Sequence, residues 1–344
     1  MPANHCILKP YMGLDINKFH NMMGAEQSKV DCSIVIVNYN TSELILSLLE
    51  SIKKYCLEYT YEFIVVDNDS PNDDVSRVAE KYSDVRLILN NENAGFGRAN
   101  NLGIENSNGK FVLLLNSDTL LFDNALDRCI EFMRTEFAIK NNIGLMGCEL
   151  LNRDMSHQNS TFDKFKLSGY LISSNILLSR FFKRGPVEKN EEGFTAAVSG
   201  AFMLFRKEVF EKIKPFDPDI FMYSEETELC RERVSKLFNI YYWKGAQIIH
   251  FGGASSGGKM HLQELVSYAL TWYKKGAVYY TIYVISFLTN LLFELILLVF
   301  ISSDGRERIV NKVRFLPKWL YYVLYSIPRF SNEWGSRDRP LKAI

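Results

Sequence analysis

FVLLLNSDTLL, residues 111–121, sets five strand-forming apolar residues directly against Asn116, Ser117 and Asp118 before turning apolar again. A run that is apolar on both faces reads as a strand inside a parallel sheet, because helices cover such sheets above and below. The same grammar occurs upstream: CSIVIVNYN (32–40) and YEFIVVDNDS (61–70) are apolar runs that end in amides or acids, and VRLILNN (85–91) is another. Between these runs SELILSLLESIKKY (42–55), DDVSRVAEKY (73–82) and GRANNLGIENS (97–107) carry apolar residues at helical spacing. Thr41 and Ser42 stand where a cap for the first helix is wanted. Strands alternating with helices predict a doubly wound α/β fold.

Composition bounds the function. With 344 residues, 47% of them hydrophobic, the chain can bury one sizeable core, with or without an appendage. Forty basic and 40 acidic residues cancel, so no bulk charge attracts nucleic acid, and no nucleic-acid partner is expected. The six cysteines (Cys6, Cys32, Cys56, Cys129, Cys148, Cys230) lack metal-type spacing and read as buried thiols of a reducing compartment. Residues 1–30 hold no apolar run after a basic start and read as a tail rather than a secretion signal.

Open α/β sheets bind ligands beyond the carboxyl ends of their strands. Asp67, Asp69 and Asp118 all follow such ends and are expected to converge on one crevice. Carboxylates crowded there repel one another unless a cation or a donor-rich ligand sits among them, which suits a nucleotide and a divalent metal. Singly, each cluster reads equally well as an Asx turn.

Six segments in order, SIVIVNYNTSELILSLLESI, FIVVDNDSPNDDV, NNENAGFGRANNLGI, FVLLLNSDTLL, VSGAFMLFRKEVFEKIKPFDPDIFMYSEETELCRERV and IIHFGGASSG, resemble the inverting family 2 glycosyltransferases, in particular their rhamnosyltransferase-like branch. The resemblance covers roughly residues 31–257. It implies a GT-A nucleotide-diphospho-sugar transferase fold with a mixed, mostly parallel sheet, a nucleoside-diphosphate sugar donor and a divalent cation, Mn2+ or Mg2+. It carries nucleoside contacts onto Asn38, Tyr39 and Asp67, with Asp69 beside them. An Asp accepts the imide N–H of uracil or thymine, so UDP or dTDP is expected ahead of GDP. The loop with Asn93, Gly95, Phe96 and Asn101 falls near the donor, its glycines admitting close backbone approach. Arg98 reads as a phosphate partner or as a solvated helix charge.

The NSD triplet takes the place of the family's DxD signature, with Asn116 for the first acid and Asp118 as metal ligand. His250 is the candidate second ligand, since a neutral imidazole suits Mn2+ better than Mg2+; a histidine satisfied in the core is the alternative. Gly200 and Ala201 map beside the donor sugar and acceptor. An inverting transfer needs one general base to take the acceptor proton. Where the family writes Glu-Asp-x-Asp, this chain has Glu225, Glu226, Thr227 and Glu228. The base maps to Glu226, one methylene longer than the family's Asp, with Glu225 the other candidate. The same stretch also reads as a helix start, with Ser224 as cap and acids favoured by the helix dipole. Asp217 and Asp219 read as turn formers.

The expected organisation is a nucleotide-binding half over 31–150, an acceptor-binding and catalytic half over 151–258, and a helical, membrane-associated segment over 259–344. FKLSGYLISSNILLSRFFKRGPVEKNEEGF (165–194) reads as an acceptor-side insertion, and GGASSGGK (252–259) as a hinge. AVYYTIYVISFLTNLLFELILLVFIS (277–302) has the length, ~20 residues, at which a helix crosses a bilayer. Ser286, Asn290 and Glu294 nevertheless form one polar stripe, which favours an interfacial or partner-packed helix, and a homo-oligomer through these helices is a further expectation. Residues 305–325 alternate basic residues with Trp319, Tyr321 and Tyr322, as on anionic lipid. Tail and resemblance together imply a cytoplasmic enzyme, peripheral at the inner face of the cell membrane, which adds one or few sugars to a glycan or lipid-linked acceptor in cell-surface polysaccharide synthesis. Two other readings stay open: a catalytically silent GT-A subunit, and a nucleotidyltransferase, which wants a Gly-rich basic loop where NYNTSELI stands.

Overall fold

The computed structural model describes residues 30–162, 191–252, 261–296, 303–331 and 334–343. The expected N-terminal tail, most of the acceptor-side insertion and most of the Gly/Ser hinge lie outside them. The chain begins with β1 (Cys32–Asn38), α1 (Ser42–Tyr55), β2 (Tyr61–Asp67), α2 (Ser76–Lys81), β3 (Val85–Leu89), α3 (Phe96–Glu105) and β4 (Phe111–Leu115). It continues through β5 (Thr119–Leu120), α4 (Ala125–Arg134), α5 (Glu136–Lys140), β6 (Ile143–Leu151), β7 (His157–Gln158), β8 (Thr161–Phe162), β9 (Gly193–Phe194), β10 (Ala197–Val198) and β11 (Phe202–Arg206). Then follow α6 (Lys207–Lys212), α7 (Glu225–Glu232), β12 (Asn239–His250), α8 (Leu262–Lys274), α9 (Ala277–Ile296) and α10 (Ser303–Tyr321).

The main sheet runs β3-β2-β1-β4-β11-β6-β12-β5. The first four strands are parallel, β11 is antiparallel to both β4 and β6, and β12 is parallel to β6. This is the mixed, mostly parallel sheet expected. Residue 150 lies inside β6, so both halves share one sheet. Alternate residues of β1 face opposite layers: Ile34 and Ile36 pack with α1 and α4, Val35 with α3 and α7. Gly103 brings α3 onto β1, since a Cβ there would lie 2.2 Å from Val35 Cγ1. That glycine serves helix–sheet packing, not a ligand.

Helix α1 is not capped by its own Thr41 or Ser42. Thr41 turns its N–H and Oγ1 to Asn38 Oδ1, while Asp73 accepts the Ser42 N–H at 2.9 Å. Five cysteines are free and buried; Cys6 lies outside the described residues.

Helices α8, α9 and α10 form a third core around Trp319, Tyr283 and Phe287, which reaches the catalytic domain through Ile220. The stripe Ser286, Asn290 and Glu294 is buried in this bundle, where Lys312 Nζ meets Glu294 at 2.7 and 2.8 Å. The stripe thus finds its partner within the chain.

Candidate active site

Parallel pairing aligns Asn38 with Asp67, so the carboxyl ends of β1, β2 and β4 open on the same edge. A cavity of about 290 Å³ lies there. Its walls include Tyr39, Asn93, Phe96, Asn116 and Asp118 from the first half, and Gly200, Ala201, Glu225, Glu226 and His250 from the second. Ten of the expected residues therefore meet in one place.

The rest do not line it. Asn38 Nδ2 donates to Asp67 Oδ1 at 2.8 Å, and Ser70 Oγ donates to the same oxygen at 2.7 Å, so this buried pair braces the crevice floor. Asp69 sits exposed in a left-handed turn at φ 60°. Asn101 holds the Phe216 backbone from both sides, at 2.9 Å each. Gly95 adopts φ 86° with its Cα against Phe221, where a Cβ would lie 2.1 Å from the carbonyl oxygen. Arg98 is neither a phosphate partner nor a solvated charge: it donates to the carbonyls of Pro218, Arg337 and Asp338 and ties down the C-terminal segment.

Several wall residues carry no obvious sequence signal. Asn68 shapes the Asn93–Gly95 turn, accepting the Ala94 N–H at 3.1 Å and donating to Asn93 Oδ1 at 2.9 Å. Thr41, Ser117, Ser199, Met222 and Tyr223 complete the wall. A Cβ on Gly200 would stand 3.6 Å from Glu226 Cβ and 3.8 Å from Phe96 Cε1, so the glycine leaves the cavity open between the acid and the ring.

His250 Nε2 lies 3.3 Å from Asp118 Oδ1. Its Nδ1 lies 2.6 Å from Gln158 Oε1, and Gln158 Nε2 donates to Asn152 Oδ1 at 3.0 Å. With the amide oriented by Asn152, its oxygen accepts from Nδ1, which turns Nε2 toward the carboxylate. Fixing a histidine tautomer through its far nitrogen is how metal-binding imidazoles are prepared. Asp118 and His250 thus fit a divalent cation as a two-residue set, the remaining positions falling to its other ligands. No group of three or more His, Cys, Asp or Glu suited to a metal occurs among the described residues.

The acids sit at the start of α7. Tyr223 and Ser224 both take φ 71°, a strained left-handed pair of the kind that persists only where surroundings impose it. They are imposed from three sides. Phe96 donates its N–H to the Phe221 carbonyl at 3.0 Å, and Ser267 of α8 donates to the Met222 carbonyl at 2.7 Å. Leu341 donates to the Asp219 carbonyl at 2.9 Å. Asp217 and Asp219 do form a turn, the Asp219 N–H reaching Asp217 Oδ1 at 3.0 Å, yet they are also buried ion-pair partners of Lys274 at 2.7 and 2.6 Å. Ser224 occupies the N-cap position, but its side chain caps nothing; its carbonyl takes the Glu228 N–H and the Thr227 hydroxyl.

Glu228 is held by Arg233 in a fork of 2.8 and 3.0 Å. Glu225 is buried, with Oε2 bonded to no group among the described residues. Burial, then the neighbouring Glu226 charge, push its carboxyl well above the usual range. Burial also raises Glu226, but the nearby Arg231 opposes the shift. Both carboxyls are raised, Glu225 well above the usual range, and the neighbouring pair titrates together.

A mixed α/β sheet with a polar crevice at its parallel strand ends, an acidic loop across it and a helical C-terminal region defines the GT-A class of nucleotide-sugar transferases. Residues 33–214 match the family described as Glycosyl transferase family 2, and the chain belongs to that family. Over 148 residues it is 32% identical to an Escherichia coli UDP-Glc:alpha-D-GlcNAc-diphosphoundecaprenol beta-1,3-glucosyltransferase, WfgD, a match covering 42% of this chain and 54% of that one. It is 25% identical over 205 residues to the poly-beta-1,6-N-acetyl-D-glucosamine synthase of Staphylococcus epidermidis, covering 58% of this chain and 45% of that one. The chain thus spans about half the length of these relatives. Among solved structures, the fold matches a mannosyltransferase of Pyrobaculum calidifontis in complex with GDP-Man and Mn2+, with TM-score 0.52, 12% identity, and 90% and 89% of the two chains covered. It also matches GalNAc-T7 with UDP, GalNAc and Mn2+, with TM-score 0.52, 15% identity, and 72% and 48% covered.

Proposed function

We propose that the protein is an inverting glycosyltransferase that moves a sugar from UDP or dTDP to a diphosphate-linked lipid acceptor at a membrane surface. One observation carries the reading: Glu226 lines the same cavity as the Asp118–His250 pair. Glu226 accepts the proton of the acceptor hydroxyl as that oxygen attacks the anomeric carbon, and burial makes it a stronger base than a solvated carboxylate. Tyr39, partly exposed at the wall, offers its ring to the base. Asp118 and His250 would hold a divalent cation, Mn2+ ahead of Mg2+, and when bound it supplies positive charge against the diphosphate as the sugar departs. Support for the cation comes from the contact of His250 with Gln158, and for the lipid acceptor from the relative that acts on a diphosphoundecaprenol substrate. The rhamnosyl donor rests on the sequence resemblance alone, since the named relatives carry glucose and N-acetylglucosamine.

The membrane surface is supported by α9. This helix is long and apolar enough to cross a membrane, but its polar stripe points inward while Val278, Ile285, Leu288, Leu292, Leu295 and Ile296 face outward and exposed. Water-facing helices have the opposite pattern. Arg306, Arg314 and Lys318 on α10 are exposed, as anionic headgroups favour. A peripheral location at the inner face of a cell membrane follows.

The test is a panel of UDP-, dTDP- and GDP-sugars with and without Mn2+ or Mg2+. The reading expects one donor to be hydrolysed slowly, with hydrolysis lost in Glu226→Gln and nucleotide binding retained. Donor binding without hydrolysis by the parent protein points instead to a catalytically silent subunit, and hydrolysis kept in Glu226→Gln removes Glu226 as the base.

A further inference from the structure

A second cavity, about 790 Å³, shares the acidic loop with the first. The two share that loop residue by residue: Tyr223, Glu225 and Glu226 line the first, while Ser224, Thr227 and Glu228 line the second. We propose that this second cavity binds the diphosphate of the acceptor lipid, a proposal that rests on the acceptor reading above.

Three features select that ligand. The first is charge. Arg231, Arg233, Lys236, Lys274 and Lys275 face three carboxylates, Asp217, Glu228 and Glu232. Lys274 stands 2.7 and 2.6 Å from Asp217 and Asp219, Arg233 2.8 Å from Glu228 and Lys275 2.8 Å from Glu232, so five cations meet four carboxylates. Arg231 also acts on Glu226, which brings the anion-binding wall within electrostatic reach of the base. A diphosphate seated here places the sugar attached to it beside the acidic loop.

The second is the aromatic rim. Trp272, Tyr279 and Trp334 line the cavity. Trp272 stacks near Tyr279 at 6.4 Å between ring centroids. Such a rim suits the first isoprene units of a lipid rather than water.

The third is continuity. Tyr279 belongs both to the cavity and, with Val278, to the exposed apolar face of α9. A chain leaving the cavity past Tyr279 runs onto the face assigned to the bilayer. An anionic head and an apolar tail, with the attached sugar beside the acidic loop, describe a polyprenyl-diphosphate sugar.

Trp272 and Trp334 give the readout, since two of the chain's 4 tryptophans line this cavity. The full-length protein is titrated with farnesyl diphosphate, and separately with farnesol, inorganic pyrophosphate and a short-chain phosphatidylglycerol, following tryptophan emission with and without saturating UDP. Farnesyl diphosphate should give a saturable change at about tenfold lower concentration than the other three, unaffected by UDP. The Lys236→Gln/Lys275→Gln pair should raise its midpoint about tenfold while the UDP midpoint stays put, each lost charge-assisted contact weakening the anion. Lys212→Gln, an exposed lysine on α6, is the charge control and should leave the midpoint unmoved. A response abolished by UDP places the lipid in the donor cavity and overturns the proposal. So do an equal response to phosphatidylglycerol and a midpoint unchanged in the double variant. Intact donor hydrolysis without any farnesyl diphosphate response overturns this site alone, whereas loss of donor hydrolysis in the parent protein strikes the transferase reading itself.

Discussion

Nε2 of His250 stands 3.3 Å from Oδ1 of Asp118, turned to it by the contact of Nδ1 with Gln158 on the opposite side of the ring. That arrangement depends on Gln158. Gln158→Leu should leave the fold intact, yet raise the Mn2+ concentration for half-maximal nucleotide binding by about 10–100-fold. Asp118→Ala should abolish the metal dependence altogether. Nucleotide titrations at graded Mn2+ decide it, and an unchanged metal requirement in Gln158→Leu would remove that role for Gln158.

Glu225 and Glu226 are separable by substitution. A carboxyl whose folded pKa is raised binds more protons folded than unfolded above pH 4.5, so it lowers stability as pH rises through that window. Glu225→Gln should therefore raise the melting temperature at pH 7, by about 1–2 °C if about 1 kcal/mol is relieved. The gain should shrink toward pH 4.5. Glu226→Gln should instead lower kcat by about 10²–10⁴. Melting curves across pH and turnover of both variants test the assignment; the roles are reversed if Glu225→Gln is the inactive one.

Lys274 neutralises two carboxylates that are almost fully buried. Lys274→Met leaves Asp217 and Asp219 without their shared cation and should lower stability by about 3–5 kcal/mol. Chemical denaturation reads this directly. A loss under 1 kcal/mol would mean that Arg233, 3.5 Å from Asp217, and Ser336 suffice.

The outward face of α9 predicts where the protein goes. Leu292→Glu with Leu295→Glu changes two exposed side chains and should leave melting unchanged. It should reduce co-flotation with phosphatidylglycerol vesicles by about tenfold or more, each buried leucine contributing about 1.5–3 kcal/mol. Undiminished flotation would rule out this face as the contact.

Much of this was legible in the sequence for one reason: doubly buried strands write themselves as unbroken apolar runs, and their polar ends mark the crevice. Asn116, Asp118 and His250 stand at such ends, whereas Glu226 comes from the family resemblance. What escaped is contact between distant segments. Asp73 was placed in α2, but its carboxylate is drawn away to cap α1, and that helix starts three residues later. Asn38 and Asp67 were assigned to ligand, but the strand register pairs them with each other. Gln158 and Lys274 act on partners 92 and 55 residues away, separations over which no local pattern speaks. The polar stripe of α9 showed plainly that it needed a partner; that the partner is Lys312 required the fold.

The grip of Ser267, Lys274 and Leu341 on the loop before α7 has a practical meaning for anyone preparing this protein. Trimming the greasy C-terminal quarter to gain solubility would release the two left-handed residues that aim Glu226, yielding a tractable but idle enzyme. Recolouring the outer face of α9 with charge, residue by residue, is the route that keeps the active-site loop in tension.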